Sequence, residues 1–438
     1  MLKRVLRHMA LLLVLVTVAL APVAAPPHSA RAAAGADARI LESRATAHFL
    51  DTIDFHLVAE SARPIVAAQL FWHAADDPVL SAAYPAFTPG AQVTIDHTLD
   101  MRLNYLPPGL DIAWFWRLTD DAGHITESPA DSLLYMDTSH DWQSRTDGLT
   151  TLFWYRGNDA FARQLVDAAN RTIAKLHDRF NVAGDQPIRL VIYGSADDFS
   201  KSLPPNSAEW IGGQAHPQLR LIVAGFDPTG GATAEIGRVV PHEVSHVILY
   251  QATRNPYNSP PSWLDEGLAV YNQETPDSRF SGLLSAAVRD GQLVPIRALN
   301  SSFPLDPEQA LLSYAESQSV IAFISDHFGD ERLGALLTSF KQEMAYDEAV
   351  QSALGVSLTD LDAQWKASLG YTGDRPASAP SGANGSLARS ARYGAIGVLL
   401  GMVSCGAVLA LVVAAIILYR RNRRARSTEH AADQAAQP

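Results

Sequence analysis

Residues 242–246 read His-Glu-Val-Ser-His, and Glu266 follows twenty residues after the second histidine. A helix turns once per 3.6 residues, so His242 and His246 project from one face, one turn apart. Two neutral imidazoles at that spacing can hold one Zn²⁺. Glu266 offers a third, anionic ligand and leaves a fourth position open, which is what separates a catalytic zinc site from a structural one. Glu243 lies beside the ligands and can take a proton from a water at that open position. The metal set is therefore His242, His246 and Glu266, with one zinc per chain, and the base is Glu243.

Two helices must present these residues. Val239, Val240, Val244, Val247 and Ile248 make the first largely apolar, which argues for burial rather than for two solvated histidines on a surface helix. Buried histidines need partners. The second segment, Trp263-Leu264-Asp265-Glu266-Gly267-Leu268-Ala269, is also apolar, and it follows a helix-start signal of Pro260-Pro261 and Ser262.

On these two segments the chain resembles the gluzincin zinc peptidases, which include the aminopeptidase N type and thermolysin-like enzymes, and most of all the small bacterial peptidase-MA-like domains. The similarity extends downstream through Ser313–Ser319, His327–Glu331 and Ser352–Ser357, then Leu361 and Trp365, and covers about residues 148–370. The resemblance implies zinc ligation by His242, His246 and Glu266, with Glu243 as general base. It also implies a Tyr or His donor for the oxyanion, and Tyr314 stands where such a residue belongs. A strand beside the cleft is implied as well. Leu219–Ala224 is the candidate, with Leu219, Leu221 and Val223 as substrate-binding positions; an ordinary internal strand is the equal alternative. The Gly-x-Met-Glu-Asn element of the aminopeptidase branch is absent, which argues against that branch's recognition of a free amine.

Three further residues have plainer readings. Tyr271 is expected to be buried beside Glu266, and His216 either lines the cleft or is a solvated loop histidine. Asp265 either hydrogen-bonds a ligand imidazole or is an acidic residue favoured near a helix N-terminus.

The ends of the chain suggest an address. Lys3, Arg4 and Arg7 precede an apolar run and then Ala32-Ala33-Ala34, the pattern of a cleaved signal peptide over 1–34. Residues 394–418 carry no charge and are followed by five arginines between 420 and 426, the pattern of a single transmembrane helix with a cytoplasmic basic tail over 419–438. Residues 371–392, rich in Gly, Ser, Ala and Pro, read as a flexible linker. The only cysteine, Cys405, lies in the apolar stretch, so the outer part can form no disulfide. A net charge of −12 disfavours nucleic acid as a partner.

Between the ends, residues 38–140 read as short alternating strands. Ile53, Phe55, Leu57 and Ala59 mark one run, and Ile112, Trp114, Trp116 and Leu118 another. Pro107-Pro108-Gly109 interrupts them. The expectation is an immunoglobulin-like β-sandwich, then an α+β thermolysin/gluzincin-like domain over 148–370, then the transmembrane helix. Together these readings anticipate a membrane-anchored extracytoplasmic zinc metallopeptidase acting on a peptide or protein substrate. The alternative is an inactive peptidase-like surface binding or sensory protein. The presence of Glu243 together with all three ligands favours the enzyme.

Overall fold

In the N-terminal part, apolar and polar residues alternate so that one face of each strand is buried. The computed structural model describes residues 38–373, except 75–78, 183, 205–211, 230 and 305. Seven strands build this part: β1 (Arg39–His48), β2 (Thr52–Ala74), β3 (Ser81–Ala83), β4 (Gly90–Asp100), β5 (Leu110–Asp120), β6 (Ile125–Glu127) and β7 (Asp131–Tyr135). The first half of β2 pairs with β1 and β4, and its second half pairs with β3 and β5. A register shift between Glu60 and Ile65 marks the bend. Phe55 and Trp72 lie on this one strand, where 17 extended residues would span roughly 56 Å. Their rings are nevertheless 6.4 Å apart, so β2 folds over its own inner face.

This corrects two features of the expected architecture. The N-terminal strands form one seven-stranded hydrogen-bonded sheet rather than two separately paired sheets, because β2 runs unbroken through both halves. The single transmembrane helix is also withdrawn from the fold, because none of the described helices is long and apolar enough to cross a membrane. The segment 394–418 lies outside the described residues, as do 1–34, the linker beyond 373 and the tail 419–438.

A second sheet follows, made of β8 (Gln143–Asp147), β9 (Thr150–Trp154), β10 (Ile188–Tyr193), β11 (Gly213–His216) and β12 (Leu221–Gly225), in the order β11-β12-β10-β9-β8. Its three central strands are parallel, and the two outer strands are antiparallel to their neighbours. The helices are α1 (Asp159–Phe180), α2 (Ala196–Ser202), α3 (Ala232–Thr253), α4 (Ser262–Asn272), α5 (Arg279–Arg289), α6 (Pro307–Phe328), α7 (Asp330–Lys341), α8 (Tyr346–Leu354) and α9 (Leu358–Ser368). Parallel strands need crossovers, and α1 carries the chain from β9 to β10.

Both faces of the second sheet are covered, which is why its strands read as continuous apolar runs. Leu190, Ile192, Ile222 and Ala224 join the core made by the helices, including α1 and α3. Val191, Tyr193, Leu221 and Val223 join the core of the N-terminal sheet. The two parts therefore share one apolar layer, and the described residues from 38 to 371 form one compact unit.

Gly109 sits at this junction with φ of 98°, a region that favours glycine. A Cβ there would lie 2.5 Å from Val191 Cγ2, and Arg189 Nη1 donates to the Gly109 carbonyl at 2.8 Å. Gly109→Ala is expected to lower the unfolding free energy by about 2–4 kcal/mol, from backbone strain plus overpacking. In denaturant, the near-UV signals of the two parts should shift together. Two separated transitions would show that the shared layer does not couple them.

Candidate metal centre

The centre is built where α4 crosses α3. Helix α3 is buried on most sides, with Val239, Val240, Val244, Val247 and Ile248 all in the core, so His242 and His246 project from it into the one partly open face. Pro241 sits inside this helix. Proline has no N–H, so the Gly237 carbonyl one turn earlier loses its intrahelical donor. That carbonyl instead accepts from Glu274 N at 2.8 Å and Thr275 N at 3.1 Å, which ties the segment after α4 to α3. Ser245 Oγ donates to the Pro241 carbonyl at 2.7 Å, and Asn272 Nδ2 donates to Ser245 Oγ at 3.2 Å. Behind α4, a Cβ on Gly267 would lie 2.6 Å from the Ser317 carbonyl oxygen, so only glycine lets α4 lie this close to α6.

The result is a convergence of three donors. The two imidazole Nε2 atoms are 3.2 Å apart. Glu266 Oε2 is 3.5 Å from each of them, is buried, and has no hydrogen-bond partner among the described residues. All three ligand atoms lie within 4.8 Å of one another. Buried polar atoms are rarely left unpaired. A cation among these three is the partner that the geometry and the donor chemistry both fit.

The electrostatics agree. Burial alone would push the His246 imidazole down, but the carboxylates of Asp265 and Glu266 outweigh it and hold His246 well above its ordinary value. Burial alone would raise Glu266, but the imidazoles of His246 and His242 hold its carboxyl below the usual range. The carboxylate is thus ionised and ready to bind a cation.

Each histidine has a partner on its other nitrogen. Asp265 Oδ1 lies 2.8 Å from His246 Nδ1, where it accepts a proton-bearing nitrogen and leaves Nε2 to the centre. The amide of Gln273 lies on His242, with its Nε2 3.3 Å from Nδ1, and its Oε1 is buried without a partner among the described residues. An imidazole that ligates through Nε2 carries its proton on Nδ1 and needs an acceptor there. With the amide turned end for end, Gln273 Oε1 would accept from His242 Nδ1–H. The importance of Gln273 was not evident from the motif; the visible signal was the proline directly before His242.

Glu243 is 8 % exposed and lines a pocket with His242, Gly213 and Tyr314. The Tyr314 ring is 6.3 Å from that of His242 and packs edge-on against Phe303. Burial and then the charges of Glu266, Glu243 and Asp265 raise the Tyr314 hydroxyl well above its ordinary value, so it remains a proton donor. Tyr271 receives a hydrogen bond from Arg179 Nη2 at 3.1 Å, and Arg179 also pairs with Asp330, so this tyrosine helps fix the end of α4.

The strand expected to bind substrate is corrected. Leu221 and Val223 lie on β12, which is paired on both sides, and their side chains are buried toward the N-terminal sheet. Leu219 belongs to a 3₁₀ turn before it. The edge is β11, one strand further out. Gly225 N donates to the Gly212 carbonyl, and Gly213 pairs with Ala224, so Gly213 is a non-hydrogen-bonded position. Its N–H and C=O therefore face the edge that no other described strand pairs with. A Cβ on Gly213 would lie 2.8 Å from Val239 Cγ1 and 3.0 Å from Glu243 Cγ, so this edge runs directly past the base. His216 is opposite Leu221 on the far face of the sheet, where burial lowers it to about 4; it does not line the cleft.

Residues 168–371 match the family profile of the Peptidase MA superfamily. No curated protein matches the chain. Among solved structures, the O-glycopeptide complex of catalytically inactive OgpA from Akkermansia muciniphila is 10 % identical, with a TM-score of 0.19 over 23 % of this chain. The chain spans 29 % of OgpA's length. A polysaccharide deacetylase, BC0361 from Bacillus cereus, is 8 % identical with a TM-score of 0.19, covering 40 % of this chain and 57 % of that one. A β-1,3-glucan-binding module of family 56 is 12 % identical with a TM-score of 0.15, covering 21 % of this chain and 95 % of the module.

If Gln273 orients His242, Gln273→Ala should weaken metal affinity about 10–100-fold without changing the fold. Gln273→Glu, which keeps an acceptor on Nδ1, should largely preserve it. Competition against a chromogenic chelator measures both. An alanine variant that holds metal as tightly as the parent would remove Gln273 from the centre.

Proposed function

We propose that this chain is a zinc-dependent metallopeptidase of the gluzincin type, hydrolysing a peptide or protein substrate. The observation that carries the reading is the buried Glu266 Oε2, without a hydrogen-bond partner among the described residues and aimed between His242 Nε2 and His246 Nε2, with Glu243 directly after His242 on α3. Two imidazoles and one carboxylate suit zinc, and three protein ligands are the number used where a fourth position serves the reaction. Zinc, when bound, supplies a Lewis acid that polarises a carbonyl and acidifies a neighbouring water.

The chain's own residues do the rest. An extended peptide pairs with the free edge of β11 through the N–H and C=O of Gly213, which lays its backbone across Glu243. The Glu243 carboxylate takes a proton from the attacking water and returns it to the leaving amine. The Tyr314 hydroxyl donates to the oxygen on which negative charge develops. Asp265 and Gln273 keep both ligand rings turned to the centre. The succession of basic, apolar and small residues over 1–34 supports action outside the cytoplasm.

Glu243→Gln keeps the shape of the side chain but not its basicity. Zinc content should hold at one per chain, while the rate of peptide-library hydrolysis falls about 10²–10⁴-fold. A variant that cleaves as fast as the parent at equal zinc content overturns the reading. Tyr314→Phe should lower kcat about 10²–10³-fold with zinc retained, because one oxyanion donor is lost. An unchanged kcat would assign that role elsewhere.

A further inference from the structure

The pocket beside Glu243 has a volume of about 180 Å³ and contains two guanidinium groups, Arg238 and Arg279, which the hydrolytic chemistry does not use. Arg279 is already committed: its Nε and Nη2 both bond Asp277, whose side chain is only 12 % exposed. That pair is neutral and forms a wall. Arg238 is different. It stands one turn before His242 on the same face of α3, and its side chain is 41 % exposed. Its nearest carboxylate is that of Glu235, at 3.7 Å, too far for a hydrogen bond. Among the described residues Arg238 makes no hydrogen bond, so its fork of donors is available to the pocket.

The edge strand sets the spacing. A Cβ on Gly212 would lie 3.6 Å from Arg238 Nη2, and a Cβ on Gly213 would lie 3.2 Å from Glu243 Oε1. The cation is thus beside Gly212, the residue just before β11, and the base is beside Gly213, the first residue of that strand. Two glycines at these positions leave no side chain between the edge and the pocket. Val239, Val270, Phe280 and Leu311 add apolar walls, while Glu243, His242, Gln273 and Tyr314 line the side of the metal centre. A carboxylate entering here meets Arg238 as a guanidinium whose ion pair with Glu235 is long and without a hydrogen bond.

We propose that this pocket is a carboxylate subsite, in which Arg238 receives the acidic group of the substrate residue adjoining the cleaved bond. The proposal rests on the peptidase reading above for what lies at the bond itself. The carboxylate is either an Asp or Glu side chain or the free C-terminus of the peptide, since both present the same two oxygens to the guanidinium.

Binding tests this without turnover. The probes are degenerate heptapeptides, acetylated and amidated, with Glu or Gln fixed at each position in turn, and the same library as free acid or amide. Calorimetry on the zinc-loaded Glu243→Gln protein should show one carboxylate form binding about tenfold tighter than its amide isostere. The gain should shrink with added salt and disappear when Arg238→Gln is combined with Glu243→Gln. A gain with fixed Glu identifies the side chain as the source, and a gain with the free acid identifies the chain end. If neither carboxylate outbinds its isostere, or if the gain survives Arg238→Gln, the subsite is refuted, even where the parent hydrolyses the library and Glu243→Gln does not. If the gain is present and depends on Arg238 while the parent hydrolyses none of the peptides, the subsite stands and the peptidase reading falls.

Discussion

The centre depends on one contact, the seating of α4 against α3 so that Glu266 enters between His242 and His246. A proline inside a helix costs about 3 kcal/mol when nothing takes up the carbonyl it releases. Here the Gly237 carbonyl freed by Pro241 receives two backbone N–H groups from the segment following α4. The defect in one helix is thereby converted into the joint with the next, which offsets its cost. Gly267 completes the arrangement from behind by letting α6 press against α4. Trp263, fully buried at the start of α4, is held by a 2.6 Å hydrogen bond from its Nε1 to Tyr346 Oη, so both ends of this short helix are tethered.

The sheet contributes by limiting where a peptide can lie. With helices on one face and the N-terminal sheet on the other, the central strands have neither an open face nor an open edge. The end strand β11 is different, since its outer edge passes Glu243. The N-terminal part therefore acts on the site indirectly. It buries the outer face of β10 and β12, and the ion pair between Arg189 and Asp111 fastens the two sheets across that layer.

Charge is concentrated where water is scarce. Two imidazoles and two carboxylates share the centre, and their mutual attraction outweighs the cost of burial for both His246 and Glu266. A different balance holds for Glu316, two residues after Tyr314. It is completely buried and accepts the Val294 N–H at 2.9 Å, its one hydrogen bond among the described residues, and burial pushes it up to about 7. That carboxyl ties the loop before α6 to the helix carrying Tyr314, which is a supporting role rather than a chemical one.

Much of the centre was legible in the sequence because helical periodicity is local. His242 and His246 share a face by spacing alone, Glu243 is the neighbouring residue on the same helix, and the apolar residues around them announced burial. The alternation of Ile53, Phe55, Leu57 and Ala59 likewise revealed their inward face. Other features could be decided only by tertiary structure, because they depend on which residues distant in sequence become neighbours. An apolar strand reads the same whether its neighbours are helices or sheets, so Leu221 and Val223 could not be told from edge residues until β11 was seen outside them. The unbroken course of β2 through both halves of its sheet depends on pairing, not on alternation. Gln273 looks like any polar residue at a helix end; it gains its place on His242 because Pro241 leaves a carbonyl free one turn earlier and the returning chain takes it. Sequence by itself determined the reactive groups and their local spacing, while the closeness of Glu266, Gln273, Gly213 and Tyr314 to them came from packing between elements, which no local period encodes.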